Sequence, residues 1–387
     1  MKNYCVKIKY VAEQIRGVSY KPEDISDIKS DDHIPLLRAN NIQKGQLCLK
    51  DLVYVDCKKV QKKQHILPND ILICASSGSK DLVGKAIKIC TPGFTFGAFC
   101  KVLRPSGVVD PDYFSAFFQS ERYKFNISNS AIGININNIR SEHLDDMSLP
   151  LPSKEEQRQK AKVINKLNEI IEKKQNQIFY LEQIIKSRFV EMFGDLISNS
   201  QNRKLVRLEE LGKWSSGGTP PKSNKPYFEG SINWFTAGEL NSLYLNDSID
   251  KISEGAIYET SAKLFTKGSM LVGMYDTAAF KLGILSKDSS ANQACACITP
   301  NSKVNILWLY AALIAIRPKV LNMRKGVRQK NLNLQMIKEL RIPYVNLNEQ
   351  NEYVKIFKRI YQSKLAVQKS IEQLEILKKS LMQEYFG

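Results

Sequence analysis

The sequence predicts an α+β protein with two mixed α/β domains that are separated and closed by two long coiled-coil helices, related by a pseudo-two-fold internal repeat. Three observations predict it: strings that recur at one offset, short β-branched runs broken by turns, and seven-residue apolar spacing in two segments. The predicted boundaries are 1–152 for the first domain, 153–195 for the central helix, 196–345 for the second domain and 346–387 for the C-terminal helix.

The internal repeat has a constant register. Residues 133–139 align with 326–332, Gln157 aligns with Gln350, and Gly194 aligns with Gly387, and each pair is 193 residues apart. A constant offset over such a length indicates a duplicated unit, in which a variable segment is followed by a regular one.

The two regular segments are predicted to be helices that pack on each other. Apolar residues recur every seven positions, which places them on one seam, and each seam is interrupted by Lys or Arg where the other is apolar. A helix that buries its stripe only on its own domain is the alternative. The predicted packing residues are Ile164, Leu167, Ile171, Ile178, Leu181, Ile185, Ile360, Val367, Ile371, Leu374 and Leu381.

The variable segments are predicted to be mixed α/β. Runs at 70–75, 85–89 and 99–103 have the composition of strands and are bounded by Gly, Pro and Asn. Helices are predicted at 111–120 and, in the second copy, at 305–316.

Composition indicates a basic protein without a metal or disulfide framework. Lys and Arg number 57 against 39 Asp and Glu, giving a net charge of +18, of which the first 195 residues carry +7 and the remainder +11. Two basic domains suit a polyanion such as DNA, although solvated lysines on a soluble protein give the same count. The eight cysteines form no CxxC pair, so we expect reduced thiols and no metal site. The longest apolar run, 306–316, is too short to span a bilayer, so we expect no membrane span and a cytoplasmic location.

No catalytic constellation is recognisable in the sequence. We find no Asn/Asp-Pro-Pro-aromatic loop of adenine methyltransferases and no GxxxxGK[ST] loop for ATP. Ser216-Gly-Gly-Thr219 suits a plain turn better than a phosphate loop. We therefore predict no catalytic residue and no cofactor in this chain.

Polar and basic residues in predicted loops are the candidates for DNA contact. Arg, Lys, Asn and Gln can bind base edges and Ser or Thr can donate to phosphate, but the same residue types also serve as turn formers. The candidates are Lys21, Arg38, Asn40, Asn41, Ser76, Ser77, Lys80, Asn135, Asn137, Lys222, Thr236, Glu239, Tyr275, Asp276, Thr277, Lys281, Arg324, Lys325, Arg328 and Lys330.

Several strings together resemble the specificity (S) subunit of type I restriction–modification enzymes. They are residues 149–157 (LPLPSKEEQ), 205–212 (LVRLEELG), 216–222 (SGGTPPK) and 232–240 (INWFTAGEL), with 17–21 and 34–42 as the opening of the first half. The second copy departs from the pattern at 346–350 (NLNEQ), where a Pro is missing, and we expect only the local turn to change.

The resemblance implies a non-catalytic subunit with two target-recognition domains, each of which reads one half of a split double-stranded DNA site. It also implies that the two helices form an antiparallel spacer. Two methyltransferase (M) subunits would dock on this spacer, and restriction (R) subunits are possible further partners. S-adenosylmethionine, ATP and Mg²⁺ would then belong to the partner subunits.

Three other functions stay open from the sequence. The chain could be a coiled-coil protein–protein adaptor without DNA specificity, or a specificity subunit of a methylation-only or type II-like complex. It could also be a stand-alone methyltransferase with diverged motifs. Steep salt dependence of DNA binding would distinguish a DNA-reading subunit from a protein–protein adaptor. Binding of the methyl donor by the isolated chain would favour the methyltransferase.

Overall fold

The computed structural model describes residues 4–43, 45–79, 82–130, 137–323 and 331–387, with only the backbone of Ser130, Asn137 and Asp276. The chain divides into two compact units. The first contains residues 1–176 and 367–387, and the second contains 177–366. Each unit therefore contains one α/β domain and parts of both long helices.

The first domain is built from short strands and short helices. Its strands are β1 (Cys5–Lys7), β2 (Ala12–Arg16), β3 (Ile25–Ser26), β4 (His33–Leu37), β5 (Ile42–Gln43), β6 (Gln46–Leu47), β7 (Val53–Asp56), β8 (Ile71–Cys74), β9 (Ser76–Ser77), β10 (Ala86–Lys88), β11 (Thr95–Phe96), β12 (Cys100–Pro105), β13 (Asn137–Asn138) and β14 (Ser148–Pro150). Its helices are α1 (Pro111–Phe117), α2 (Glu121–Ser130) and α3 (Ser141–Asp145).

Two four-stranded sheets organise this domain. One is antiparallel in the order β10-β8-β12-β2, and the other has the order β11-β4-β7-β3, with β11 parallel to β4. The central strand β8 and the first four residues of β12 are buried, because a cluster that includes α1 residues packs on one side and a second cluster packs on the other.

The second domain repeats this plan. Its strands are β15 (Leu205–Arg207), β16 (Gly212–Ser216), β17 (Ile232–Phe235), β18 (Tyr244–Leu245), β19 (Lys251–Ile252), β20 (Met270–Gly273), β21 (Leu282–Leu285), β22 (Ser290–Ala291), β23 (Cys295–Pro300) and β24 (Arg341–Pro343). Its helices are α5 (Glu254–Glu259), α6 (Ile306–Asn322) and α7 (Leu334–Glu339).

The sheet orders confirm the predicted duplication. The order β21-β20-β23-β16 matches β10-β8-β12-β2, with β18 added at the edge, and β22-β17-β19 matches β11-β4-β7. The pair β15/β24 likewise matches β1/β14. The observed strands β8, β10 and β12 lie within two residues of the predicted runs, but β12 begins at Cys100 and excludes Phe99. The helices predicted at 111–120 and 305–316 correspond to α1 and α6.

The two long helices are α4 (Lys154–Phe193) and α8 (Leu347–Phe386), each of 40 residues and therefore roughly 60 Å long. Both begin at a capping residue in the same register. The Ser153 hydroxyl accepts the amide of Glu156 at 3.3 Å, and the Asn346 side chain accepts the amide of Glu349 at 3.0 Å. The missing Pro near 346 is thus compatible with a capped helix start.

Within each unit the two helix segments pack together and run antiparallel. In the first, Ala161 and Ile164 of α4 share a core cluster with Met382 and Tyr385 of α8. In the second, Phe189 of α4 packs on Tyr353 of α8 with ring centroids 5.2 Å apart. There Lys364 of α8 also donates to Glu182 of α4 at 2.5 Å.

The eleven predicted packing residues are all buried or half-buried. Five are buried, namely Ile164, Leu167, Ile171, Val367 and Ile371, and the remaining six are half-buried. Ile164 and Leu381 adjoin the core of the first unit and Ile185 adjoins that of the second, so the stripe contacts domain residues as well as helix residues.

Candidate nucleic-acid interface

A cleft of about 310 Å³ lies at one edge of the first domain. Three chain segments meet there: the turn after β4, strand β9 after β8, and the loop that leads into β12. They converge because β8 and β12 are antiparallel, with Cys74 opposite Cys100, so the end of one strand meets the start of the other. The lining residues are Tyr20, Arg38, Ala39, Asn40, Ser76, Ser77, Gly78, Gly97, Phe99 and Cys100.

A close approach of two glycines shapes this edge. The segment after β2 makes a parallel bridge between Val18 and Gly97. A Cβ atom on Gly17 would lie 2.1 Å from the carbonyl oxygen of Gly97, so only glycine permits this contact. Tyr20 is thereby brought to the cleft.

Arg38 is the cation in the cleft. Its backbone amide donates to Asn41 Oδ1 at 2.8 Å, and its Nη2 donates to the carbonyl of Asp51 at 2.9 Å. Its Nε is buried and has no hydrogen-bond partner among the described residues. A buried donor without a partner is costly, so Arg38 is held in an energetically unfavourable setting at the cleft.

Asn41 and Asn40 differ in what their side chains can reach. Asn41 is 0% exposed, and its Nδ2 donates to the carbonyl of Cys48 at 2.8 Å while its Oδ1 accepts from Arg38. The Asn41 amide thus closes the loop and has no exposed edge for a base. Asn40 is exposed at the cleft.

Ser76 and Ser77 form the opposite wall. Their strand pairs with β13, which places the backbone of Asn137 opposite Ser77. The backbone amide of Ser76 donates to the carbonyl of Phe99 at 3.0 Å, which holds this wall to the β12 loop. Both serines are half-buried, so their hydroxyls border the opening.

Phe99 and Tyr20 belong to the cleft but were not among the sequence candidates. The Phe99 side chain is 63% exposed although it stands in an apolar run, which is why the sequence pattern assigned it to the strand. The available signal was the neighbouring Gly97-Ala98 pair, which marks a turn rather than a strand interior.

The one thiol in the lining is not poised for chemistry. Burial raises the pKa of Cys100 to about 12, so the thiol stays protonated near neutral pH. The cleft therefore offers hydrogen bonds, a guanidinium and aromatic surface, which suit binding rather than covalent catalysis.

The second domain places two turns in the equivalent position. The turn at Ala237–Glu239 follows β17, as the Arg38 turn follows β4, and it contacts the turn at Asp276–Ala278 after β20. Glu239 Oε2 accepts from the amide and hydroxyl of Thr236 at 2.8 and 2.7 Å, and Oε1 accepts from the amide of Ile249 at 2.8 Å. Both oxygens of Glu239 are thus engaged within the domain.

Of the other described candidates of the second domain, Tyr275, Thr277 and Lys222 are exposed and Lys281 is half-buried. Lys281 donates to Asn241 Oδ1 at 2.8 Å, while Tyr275 and Thr277 are exposed on the β20 turn. Lys222 is exposed in the turn after Pro221 and is not part of the two turns described above. Lys21 of the first domain is likewise exposed, and it does not line the cleft.

Six sequence candidates lie outside the described residues: Lys80, Asn135, Arg324, Lys325, Arg328 and Lys330. Of Asn137 and Asp276 only the backbone positions are described, in β13 and in the β20 turn. The role of these residues stays a prediction.

Within the described part of the chain, no group of three or more His, Cys, Asp or Glu side chains could hold a metal ion. All eight cysteines are free thiols. Searched over the same residues, no helix has the length and apolar content to cross a membrane.

Comparison with known families gives a match in both halves. The model described as "Type I restriction modification DNA specificity domain" matches residues 5–180 and again residues 201–376.

Two relatives are 36% identical to parts of this chain. The specificity subunit of the type I restriction enzyme StySPI of Salmonella potsdam matches over 210 residues, 54% of this chain and 45% of that protein. The EcoKI specificity subunit of Escherichia coli (strain K12) matches over 203 residues, 52% of this chain and 44% of that protein. The aligned parts thus span somewhat less than half the length of these relatives.

Among solved structures, the S subunit of a type I restriction-modification system from M. genitalium has a TM-score of 0.62 at 16% identity, covering 99% of this chain and 96% of that one. At this identity the likeness concerns the fold, and it extends over both domains and both helices.

Proposed function

Because the chain belongs to the family of type I restriction-modification DNA specificity domains, which matches it twice, we propose that it is the non-catalytic subunit that selects the DNA sequence in such a complex. Each α/β domain would read one half of a bipartite target in double-stranded DNA. The observation that carries the proposal is a duplicated scaffold whose equivalent turns present different polar side chains.

The equivalent turns differ in the chemistry that they offer to a base edge. Where the first domain has Arg38, the second has Thr236, and where the first has Ser76, the second has Tyr275. An arginine suits the O6 and N7 acceptors of guanine, while the Thr236 hydroxyl, which donates to Glu239, can still accept a hydrogen bond from a base amino group. Two domains with one scaffold and different contacts would read two different half-sites.

The net charge of +18 supports a DNA partner because phosphate contacts provide much of the affinity of such proteins. Within the first domain, the exposed side chain of Asn40 and the half-buried guanidinium of Arg38 are the groups that we assign to base contact. Asn41 and Glu239 are assigned to shaping the turns because their polar atoms are already bonded.

We further propose that the long helices dock methyltransferase subunits, with restriction subunits as additional partners. Exposed apolar side chains on one side of α4, Phe179, Tyr180, Ile184 and Val190, support a protein partner there. S-adenosylmethionine, ATP and Mg²⁺ would be bound by those partners, and two methyltransferase subunits would match the two-fold repeat.

Footprinting tests the proposed function. The chain in complex with its methyltransferase partner should protect two short blocks of DNA separated by an unprotected gap, and its affinity should fall by about 10³-fold or more between 50 and 200 mM salt. One continuous block would contradict bipartite reading. Binding to the partner without salt-dependent DNA affinity would favour the adaptor function.

Arg38→Ala should weaken recognition of one half-site only. Loss of a bidentate arginine–guanine contact costs about 1 to 3 kcal/mol, so affinity should drop by about 5- to 150-fold and selectivity should relax at one base pair. Arg38→Lys should rescue little, since a lysine keeps the charge but not the planar pair of donors. The measurement is a binding competition across duplexes with single substitutions.

The matched control is Thr236→Ala, at the equivalent turn of the second domain. It should alter the other half-site and leave the base preference of the Arg38 half unchanged. If Arg38→Ala lowers affinity equally for every duplex, the residue contacts phosphate rather than a base.

A further inference from the structure

Two buried glutamines occupy equivalent positions near the starts of the long helices. Gln157 on α4 is 1% exposed and Gln350 on α8 is 0% exposed. Each lies four residues after its helix-capping residue, Ser153 or Asn346, and the two glutamines are 193 residues apart in the repeat.

Both glutamines make two equivalent hydrogen bonds within their own unit, and Gln350 Nε2 makes one more, to the carbonyl of Lys303 at 3.2 Å. Gln157 Oε1 accepts from the backbone amide of Asp110 at 2.7 Å, and Gln350 Oε1 accepts from that of Asn305, also at 2.7 Å. Asp110 and Asn305 are the residues that cap α1 and α6. Each long helix is thereby bonded to the N-terminus of a helix of its domain.

The amide nitrogens complete the arrangement. Gln157 Nε2 donates to the carbonyl of Pro152 at 2.8 Å, and Gln350 Nε2 donates to that of Val345 at 2.7 Å. These carbonyls lie in three-residue links, 151–153 and 344–346, which join the last strand of each domain to its long helix. One side chain therefore bonds the helix, the link and the domain together.

We propose that Gln157 and Gln350 are positioning residues that fix the angle between each domain and its long helix, and so the length of the unread gap between the DNA half-sites. The inference rests on the proposed function. Apolar contacts hold helix and domain together but tolerate sliding, whereas buried hydrogen bonds at 2.7 Å are directional.

A small change of angle would matter for DNA spacing. In a domain of this size the far side lies roughly 30 Å from the link. A rotation of about 7° then moves the DNA-facing loops by ~3.4 Å, one base-pair step. Fixing this angle would let the complex discriminate gaps that differ by one base pair.

The test compares Gln157→Met and Gln350→Met, singly and together, with Gln159→Met as the control. Methionine retains the length of the side chain but makes none of these hydrogen bonds. Gln159 is an exposed glutamine of α4 whose Nε2 donates to Glu155. Full-length complexes with the methyltransferase partner are assayed on duplexes that carry the native half-sites at the native gap and at gaps one base pair shorter or longer.

In the substituted complexes, the ratio of affinity for the native gap to affinity for the altered gaps should fall about tenfold, which corresponds to one buried hydrogen bond. The base preference in each half-site should stay unchanged. Gln159→Met should behave as the unsubstituted chain. Equal loss of activity at every gap would mean a merely structural role and would overturn the proposal, as would an unchanged gap preference.

Amide exchange separates this inference from the proposed function. In the whole chain, the substitutions should speed exchange at Asp110 and Asn305 while the central strands stay protected. If the unsubstituted complex read no split site, the proposed function would fail, yet exchange at these two amides would still report on the glutamines. Unchanged exchange at both would overturn the positioning role.

Discussion

Replacing Asp70 by Ala should destabilise the first domain by about 3 to 5 kcal/mol, because it leaves a largely buried arginine without its counter-charge. Asp70 is 0% exposed and accepts from Arg104 Nε at 2.9 Å and Nη2 at 2.8 Å. Its Oδ2 also accepts from the amide of Leu67 at 2.9 Å. The hydrogen bonds that Arg104 donates to Asp70 raise the pKa of Arg104. A guanidinium also stays protonated near neutral pH without such bonds, so the substitution leaves an unpaired charge.

The second domain supplies the matched design for this test. At the positions equivalent to Asp70 and Arg104 it has Ser269 and Thr299, whose hydroxyls are 2.9 Å apart. The double substitution Asp70→Ser with Arg104→Thr transfers this neutral pair to the first domain. It should cost less than Asp70→Ala alone, because no unpaired charge is left buried.

Hydrogen exchange resolved by segment is the suitable measurement, since a chain of two domains does not unfold in one step. Protection in β8 and β12 should fall with Asp70→Ala and recover in part with the double substitution. Ser269→Ala should cost about 1 kcal/mol in β20 and β23, as expected for one neutral hydrogen bond. Equal losses for the single and double substitutions would contradict the charge argument.

The parts of the fold that follow from periodicity could be predicted from the sequence. The seven-residue spacing predicted both long helices, and the constant offset of 193 residues predicted that the end segments of the two halves are copies. These features are local or are copied at a fixed register, so the pattern alone is sufficient.

The candidate site could be predicted only in part because it depends on contacts between distant segments. Arg38 and Ser76 are 38 residues apart, and only the strand pairing brings them to one cleft. Asn41 has the residue type of a base-contacting side chain, but its Nδ2 already donates a hydrogen bond to the carbonyl of Cys48. Phe99 has the type of a core residue but is exposed at the cleft. Residue type does not reveal which partner a side chain has.

The buried pairing of Asp70 with Arg104 and the buried glutamines were missed for the same reason. A lone Asp before a strand suggests a turn, and nothing local indicates that its partner lies 34 residues away. The repeat did align Gln157 with Gln350, but alignment marks equivalence and not the bond that each one makes.

Phe386→Ala should destabilise the first unit, and Phe193→Ala the second, by about 3 to 5 kcal/mol each. Both rings are buried at the ends of the long helices, 0% and 1% exposed. Phe386 packs on Tyr113 of α1 with ring centroids 4.9 Å apart, and Phe193 packs on Trp308 of α6 at 6.1 Å. Each substitution removes an aromatic contact and leaves a cavity between helix end and domain.

The expected loss of protection is local to one unit. Phe386→Ala should speed amide exchange in α1 and not in α6, and Phe193→Ala should do the reverse, as measured by hydrogen exchange of the whole chain. Phe179→Ala is the control on α4, because its ring is 54% exposed and its loss should change stability by no more than about 0.5 kcal/mol. If Phe386→Ala left α1 as protected as before, the C-terminal ring would not be part of the core of the first unit. An effect on α1 alone would instead mean that a helix end distant in sequence stabilises the domain that presents Arg38.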